Sequence, residues 1–146
     1  MSRVEVSWLN GVAFVGETES GHAIVMDGAP ESGGRNLGAR PMELLLTGLG
    51  GCTAFDVVTI LRKARQPVQD VKVVVSAERA ETIPKVYTKI HIHFVVYGDV
   101  AETHVRRAVE LSAEKYCSAS QMLAKAATLT HDYEIRSGTR RNDELA

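Results

Sequence analysis

The sequence predicts an α+β fold in which antiparallel strands surround two long helices, with two copies of the chain associating. Three observations carry this. The stretch from Met42 to Leu61 is apolar on almost every side, which a helix tolerates only inside a core or an obligate interface. Val68 to Ala80 and Val86 to Tyr97 are rich in β-branched residues and read as a long strand pair. Two such helices with six strands exceed what one small sheet covers, so a second copy is expected to complete the core.

The elements follow in order. Residues 3 to 8 and 12 to 17 alternate imperfectly about Asn10-Gly11, a pair suited to a type I′ hairpin turn. His22 to Asp27 reads as a third strand, and Gly28 to Ala39 (GAPESGGRNLGA) as a mobile loop without periodicity. Pro41 suits the first turn of a helix, and Pro67 forbids its continuation beyond about Arg65. Arg62, Lys63 and Arg65 place cations at the negative end of its dipole. The two long strands turn around Thr82-Ile83-Pro84, helices are expected over Ala101 to Tyr116 and from Ser118 to about Ala126, and His131 to Ile135 is a last strand. A polar tail over 137–146 is expected to fray.

The chain has 146 residues, the size of a single domain, with 45% hydrophobic and 24% charged residues. Its formal net charge of −1 supplies no field for nucleic acid or anionic lipid. The apolar run carries Glu43, Asp56 and three glycines, so it reads as a buried helix and not a membrane span. The N-terminal residues MSRVEVSWLNG contain no apolar leader, so the cytoplasm is the expected compartment. In that reducing setting Cys52 and Cys117 read as free or redox-active thiols, or as small core residues.

At about 100° per residue Leu45, Cys52 and Thr59 share one line of the central helix, so Cys52 is expected to face a shallow groove. Gly48, Gly50 and Gly51 cost that helix roughly 2 to 3 kcal/mol relative to alanine. Close approach of another helix, the one bearing Cys117, is the expected compensation. Cys117 sits where one helix ends and the next begins, which should lower its thiol pKa, whereas burial should raise that of Cys52 unless a cation lies near. Arg40 and Arg35 are the candidates for that cation.

The run Pro41-Met42-Glu43-Leu44-Leu45-Leu46-Thr47-Gly48-Leu49-Gly50-Gly51-Cys52-Thr53, with Asp56-Val57-Val58, Ile60-Leu61-Arg62-Lys63 and the late Glu114-Lys115-Tyr116-Cys117-Ser118, resembles the OsmC/Ohr family, and within it the YhfA-like branch. The likeness runs from about Ser20 to Ile135. It implies an OsmC-like intertwined homodimer of curved antiparallel sheets around two long central helices, with its sites at the subunit interface. It further implies thiol-dependent reduction of organic hydroperoxides in oxidative-stress defence. Cys52 would be peroxidatic and Cys117 resolving, with an external dithiol reductant as partner and no metal, flavin or haem. Met42, Leu45, Leu49 and Phe55 would line an apolar groove for the peroxide's tail.

The pattern departs from the family's in one respect. Its peroxidases carry a glutamate directly after the motif proline, paired with an arginine from an N-terminal turn. Here Met42 follows Pro41, Glu43 lies about 180° from Cys52 around the helix, and the turn Gly16 to Gly21 holds no arginine. Arg40 or Arg35 would have to supply that charge. The alternative is a protein of the same fold without peroxidase activity, binding a small apolar ligand in the groove.

Three further residue sets stand apart. His91 and His93 share a strand face, a spacing able to chelate a transition metal, but no further ligands adjoin them in sequence and a solvated polar face is expected. Asp56 is expected to be structural, since a carboxylate beside a reactive thiol would raise its pKa. Trp8 reads as a sheet anchor.

Overall fold

A computed structural model describes residues 1–138; most of the tail expected to fray, 139–146, lies outside the described residues. The chain divides into two compact units, Met1–Leu46 and a second beginning at Thr47. The mixed α+β class is as expected, with two three-stranded sheets.

In the first unit β1 (Val4–Asn10), β2 (Ala13–Thr18) and β3 (Ala23–Met26) form an antiparallel sheet in sequence order. The β1–β2 turn is centred one residue later than expected, with Gly11 at φ 54° and its carbonyl accepting from Trp8 Nε1 at 3.0 Å. The Trp8 ring itself stands exposed.

The glycine-rich loop after β3 is organised by one carboxylate. Asp27 is 2% exposed, its Oδ1 accepts from the Gly28 amide at 2.8 Å, and its Oδ2 accepts from those of Arg35 at 3.1 Å and Leu37 at 3.2 Å. Burial pushes the Asp27 carboxyl up, but the three amides and the Arg35 charge outweigh it and hold the group below its usual range. A Cβ at Gly34 would run into the Gly28 carbonyl, so the loop closes only because that position is glycine.

Helix α1 (Pro41–Lys63) begins with the Arg40 amide donating to Glu43 Oε2 at 3.0 Å, half of a capping box. It ends in a Schellman arrangement: Arg65 takes φ 57°, its amide donates to the Arg62 carbonyl, and the Gln66 amide reaches Leu61. Pro67 follows. Only Leu49, Thr53, Val57 and Leu61, spaced four apart, are fully buried. By length and composition α1 is the one helix among the described residues that could cross a membrane; its buried stripe nonetheless packs on protein, with Gly50 against Val75.

The second sheet runs β4 (Val68–Arg79), β5 (Tyr87–Gly98), β6 (Thr128–Arg136), with β5 central. Ile90, Ile92, Phe94 and Val96 turn to the core, where Val105, Ala108 and Val109 of α2 (Glu102–Leu111) are also buried. β4 pairs antiparallel to β5 as expected, but β6 pairs parallel to it. The helices between β5 and β6 form a crossover, and a crossover returns the chain to the same end of the sheet.

The expected helix to Tyr116 stops at Leu111 and continues as a π-helical segment, Ser112–Tyr116, before α3 (Ser118–Leu123). The Cys117 amide donates to the Ser112 carbonyl at 2.9 Å, five residues back. Gln121 Nε2 caps the freed Ala113 and Glu114 carbonyls, each at 3.2 Å.

Candidate functional site

The π-helical segment is the local feature that sets the site. One extra residue per turn swings the chain at Cys117 into extended backbone, φ −77° and ψ 104°, and aims its side chain inward. Cys117 is 0% exposed and caps α3, its Sγ accepting from the Ser120 amide at 3.3 Å. Its thiol lies close enough to that of Cys52, partly exposed on α1, for the two to influence each other, and both cysteines are free. The structure thus joins two thiols that sequence spacing could not place.

The electrostatics of Cys117 correct the expectation. Burial is the largest influence and raises its pKa, and the neighbouring Cys52 raises it further. The Ser120 hydroxyl and amide act the other way without prevailing. Desolvating a thiolate costs more than one amide of a six-residue helix returns, so the helix N-terminus does not make Cys117 acidic. The buried Ser120 Oγ makes no conventional hydrogen bond, leaving its polarity directed at the sulfur.

Asp56, one turn beyond Cys52, accepts a 2.9 Å hydrogen bond from Ser112 Oγ at the start of the π-helical segment. This is the structural part expected for it, and it ties the helix of one thiol to the segment carrying the other. Ser112 and Ser120 escaped the sequence reading: a serine in a helical pattern carries no signal until its partner is known.

Two open grooves run along α1. One, of about 740 Å³, is lined by Phe55, Ala54, Val58, Arg62 and residues at the start of β4. The other, of about 500 Å³, is lined by Asp56, Ile60, Lys63, His104, Arg107 and Tyr116. Phe55, expected at the ligand's wall, is 71% exposed in the first groove. Leu49 is a correction: it is 0% exposed in the packing stripe of α1 and cannot line an open groove. The three-glycine expectation is corrected too. Gly50 meets Val75 of β4, while a Cβ at Gly48 or Gly51 would have nothing within 4 Å, so the segment bearing Cys117 does not fill that surface.

The remaining expected residues lie in the first unit. Arg40 Nη1 donates to Asn36 Oδ1 at 2.8 Å and to the Gly38 carbonyl at 3.2 Å, and Arg35 hydrogen-bonds Asn10. Both guanidiniums have partners within their own unit. Met42 is half-buried and Leu45 is 47% exposed.

A family model described as OsmC-like protein matches residues 33–132. The chain belongs to the OsmC-like family. The matched span contains both cysteines, Asp56, Ser112 and Ser120. Protein YhfA of Escherichia coli (strain K12) is 48% identical over 134 residues, 91% of this chain and 97% of that relative. A solved structure of a hypothetical protein from Aquifex aeolicus VF5 superposes with a TM-score of 0.84 at 35% identity, over 95% of this chain and 98% of that one. The structure of an organic hydroperoxide resistance protein OsmC from Legionella pneumophila shares the OsmC-like fold, with a TM-score of 0.71 at 15% identity over 92% and 96% of the chains.

Proposed function

We propose that this protein reduces organic hydroperoxides with its paired thiols, as the name of the Legionella relative suggests for that protein. The observation that carries the reading is the meeting of a partly exposed Cys52 with a buried Cys117. The less buried of the two cysteines is the one a substrate reaches. Its thiolate attacks the distal peroxide oxygen, the O–O bond breaks, and the departing alkoxide takes a proton to leave as alcohol. Cys52 is then a sulfenic acid, which the Cys117 thiol attacks, forming a disulfide and releasing water. An external dithiol returns both to thiols. Phe55, exposed in the groove along α1, favours an apolar peroxide tail, with Leu49 removed from the wall.

In this reading the working unit is a homodimer, with each chain contributing one OsmC-like domain. Apolar surface supports it: Val4, Val6, Trp8 and Leu9 of the edge strand β1 are 66%, 55%, 68% and 51% exposed, and α1 buries one stripe of a helix apolar nearly all round.

The test is consumption of cumene hydroperoxide and hydrogen peroxide with a dithiol reductant, run beside Cys52→Ser and Cys117→Ser. We expect the organic substrate to turn over faster, with activity abolished in Cys52→Ser and stalled after one turnover in Cys117→Ser. Folded dimer without turnover above free dithiol would overturn the reading in favour of a ligand-binding member of the same fold.

A further inference from the structure

The outer face of the second sheet carries a cluster unrelated to the thiols. The ligands missing beside His91 and His93 in sequence arrive on β6, because its parallel pairing sets Asp132 opposite His93 and brings Glu134 alongside. Asp132 Oδ1 lies 2.9 Å from His91 Nε2 and 2.6 Å from His93 Nδ1, and one donor atom from each of the three residues lies within 4.8 Å of the others. Donors around a tetrahedral zinc at about 2.0 to 2.2 Å stand about 3.4 Å apart, so the carboxylate would move outward by under about 1 Å while the two rings, their donors already within 4.8 Å, adjust around the ion.

The outward-facing nitrogens matter as much. His91 Nδ1 is 2.7 Å from Thr130 Oγ1, and His93 Nε2 is 3.0 Å from Glu134 Oε1. Glu134 is itself held by Arg136, at 3.2 Å through Nε and 2.8 Å through Nη2. A histidine that binds metal through one nitrogen is oriented in this way by an acceptor on the other. Neutral His93 has a single N–H yet faces two carboxylates, so one of its nitrogens turns a lone pair toward an oxygen unless the ring is protonated or a metal cation stands between ring and carboxylate.

The geometry points to a transition-metal site of the zinc type on this face, with His91 Nε2, His93 Nδ1 and Asp132 as ligands and Thr130 and Glu134 orienting the rings. The side chains of His91, His93 and Asp132 are 42%, 31% and 59% exposed, which leaves the fourth position to water. A bound ion would fasten β6 to β5, the parallel pair of the sheet.

Calorimetric titration of the metal-free full chain with Zn2+, in a Cys52→Ser/Cys117→Ser background that removes the thiols as ligands, tests this. We expect one ion per chain, affinity at least tenfold weaker in His93→Ala and in the near-isosteric Asp132→Asn, and a melting temperature raised by Zn2+ but not by Mg2+. Circular dichroism confirms that each variant is folded. No binding above background, or binding unchanged in folded Asp132→Asn, would overturn the site and leave a protonated His93 as the occupant's substitute.

Discussion

Ser112 Oγ donates a 2.9 Å hydrogen bond to Asp56 Oδ2, joining the helix that carries Cys52 to the turn that presents Cys117. Ser112 is fully buried. Removing its hydroxyl leaves a carboxylate short of a partner, so Ser112→Ala is expected to destabilise by about 1 to 3 kcal/mol. Asp56→Ala together with Ser112→Ala should cost less than the sum of the two. Urea unfolding of the four proteins checks this; full additivity would mean that the pair contributes nothing jointly.

The thiols should differ sharply toward a small alkylating agent. Cys52 is partly exposed, whereas Cys117 is buried and its pKa is raised, chiefly by that burial. With iodoacetamide near pH 7.5 we expect Cys52 to be modified first and Cys117 only after denaturant is added. Peptide mass spectrometry gives both rates. Equal rates in native protein would contradict the buried position of Cys117.

Acid should loosen the loop that Asp27 organises. Its pKa in the folded chain is lowered, since three backbone amides and Arg35 outweigh the opposing effect of burial. A depressed carboxyl contributes stability that is present above its unfolded value of about 3.9 and lost as pH falls through the folded value. Protection of the Arg35 and Leu37 amides, measured against their intrinsic exchange rates, should therefore hold from neutral pH down to about pH 4 and fall below it. Asp27→Asn should show the fast exchange already at neutral pH. Protection that persists in Asp27→Asn would remove the carboxylate from its organising role.

Gly48 and Gly51 separate a free surface from a dimer contact. A methyl group at either position meets nothing within 4 Å in one chain, so alanine there favours the helix by about 1 kcal/mol. If the proposed dimer packs on this face of α1, the same methyl groups would intrude on the second copy. We expect Gly48→Ala and Gly51→Ala to raise the dimer dissociation constant at least tenfold in sedimentation equilibrium, about 1.4 kcal/mol. Greater stability with unchanged association would place the dimer contact elsewhere.

How much was legible follows from the range over which each signal acts. Pro41 and Pro67 bracket α1 because proline acts on its own backbone, and β-branched runs mark β4 and β5 within a residue or two. The parallel seat of β6 depends on where the crossover lands, which no local pattern encodes. The same limit hid the π-helical segment: Ser112 to Tyr116 reads as ordinary helix, and the register change shows only once Cys117 is seen to be buried. Leu49 failed differently. The resemblance put it in the groove wall, but on a helix apolar all round, nothing in sequence says which stripe meets the sheet.

The crossover also fixes when the thiols meet. Cys52 lies in a helix that forms from local contacts, whereas Cys117 is carried between β5 and β6, whose parallel pairing closes a long loop. Such closures come late in folding because their entropy is lost before contacts repay it. On that order a growing chain is expected to hold its two sulfurs apart until the segment between β5 and β6 docks, so that an oxidant met earlier would find two isolated thiols and no pair to bridge.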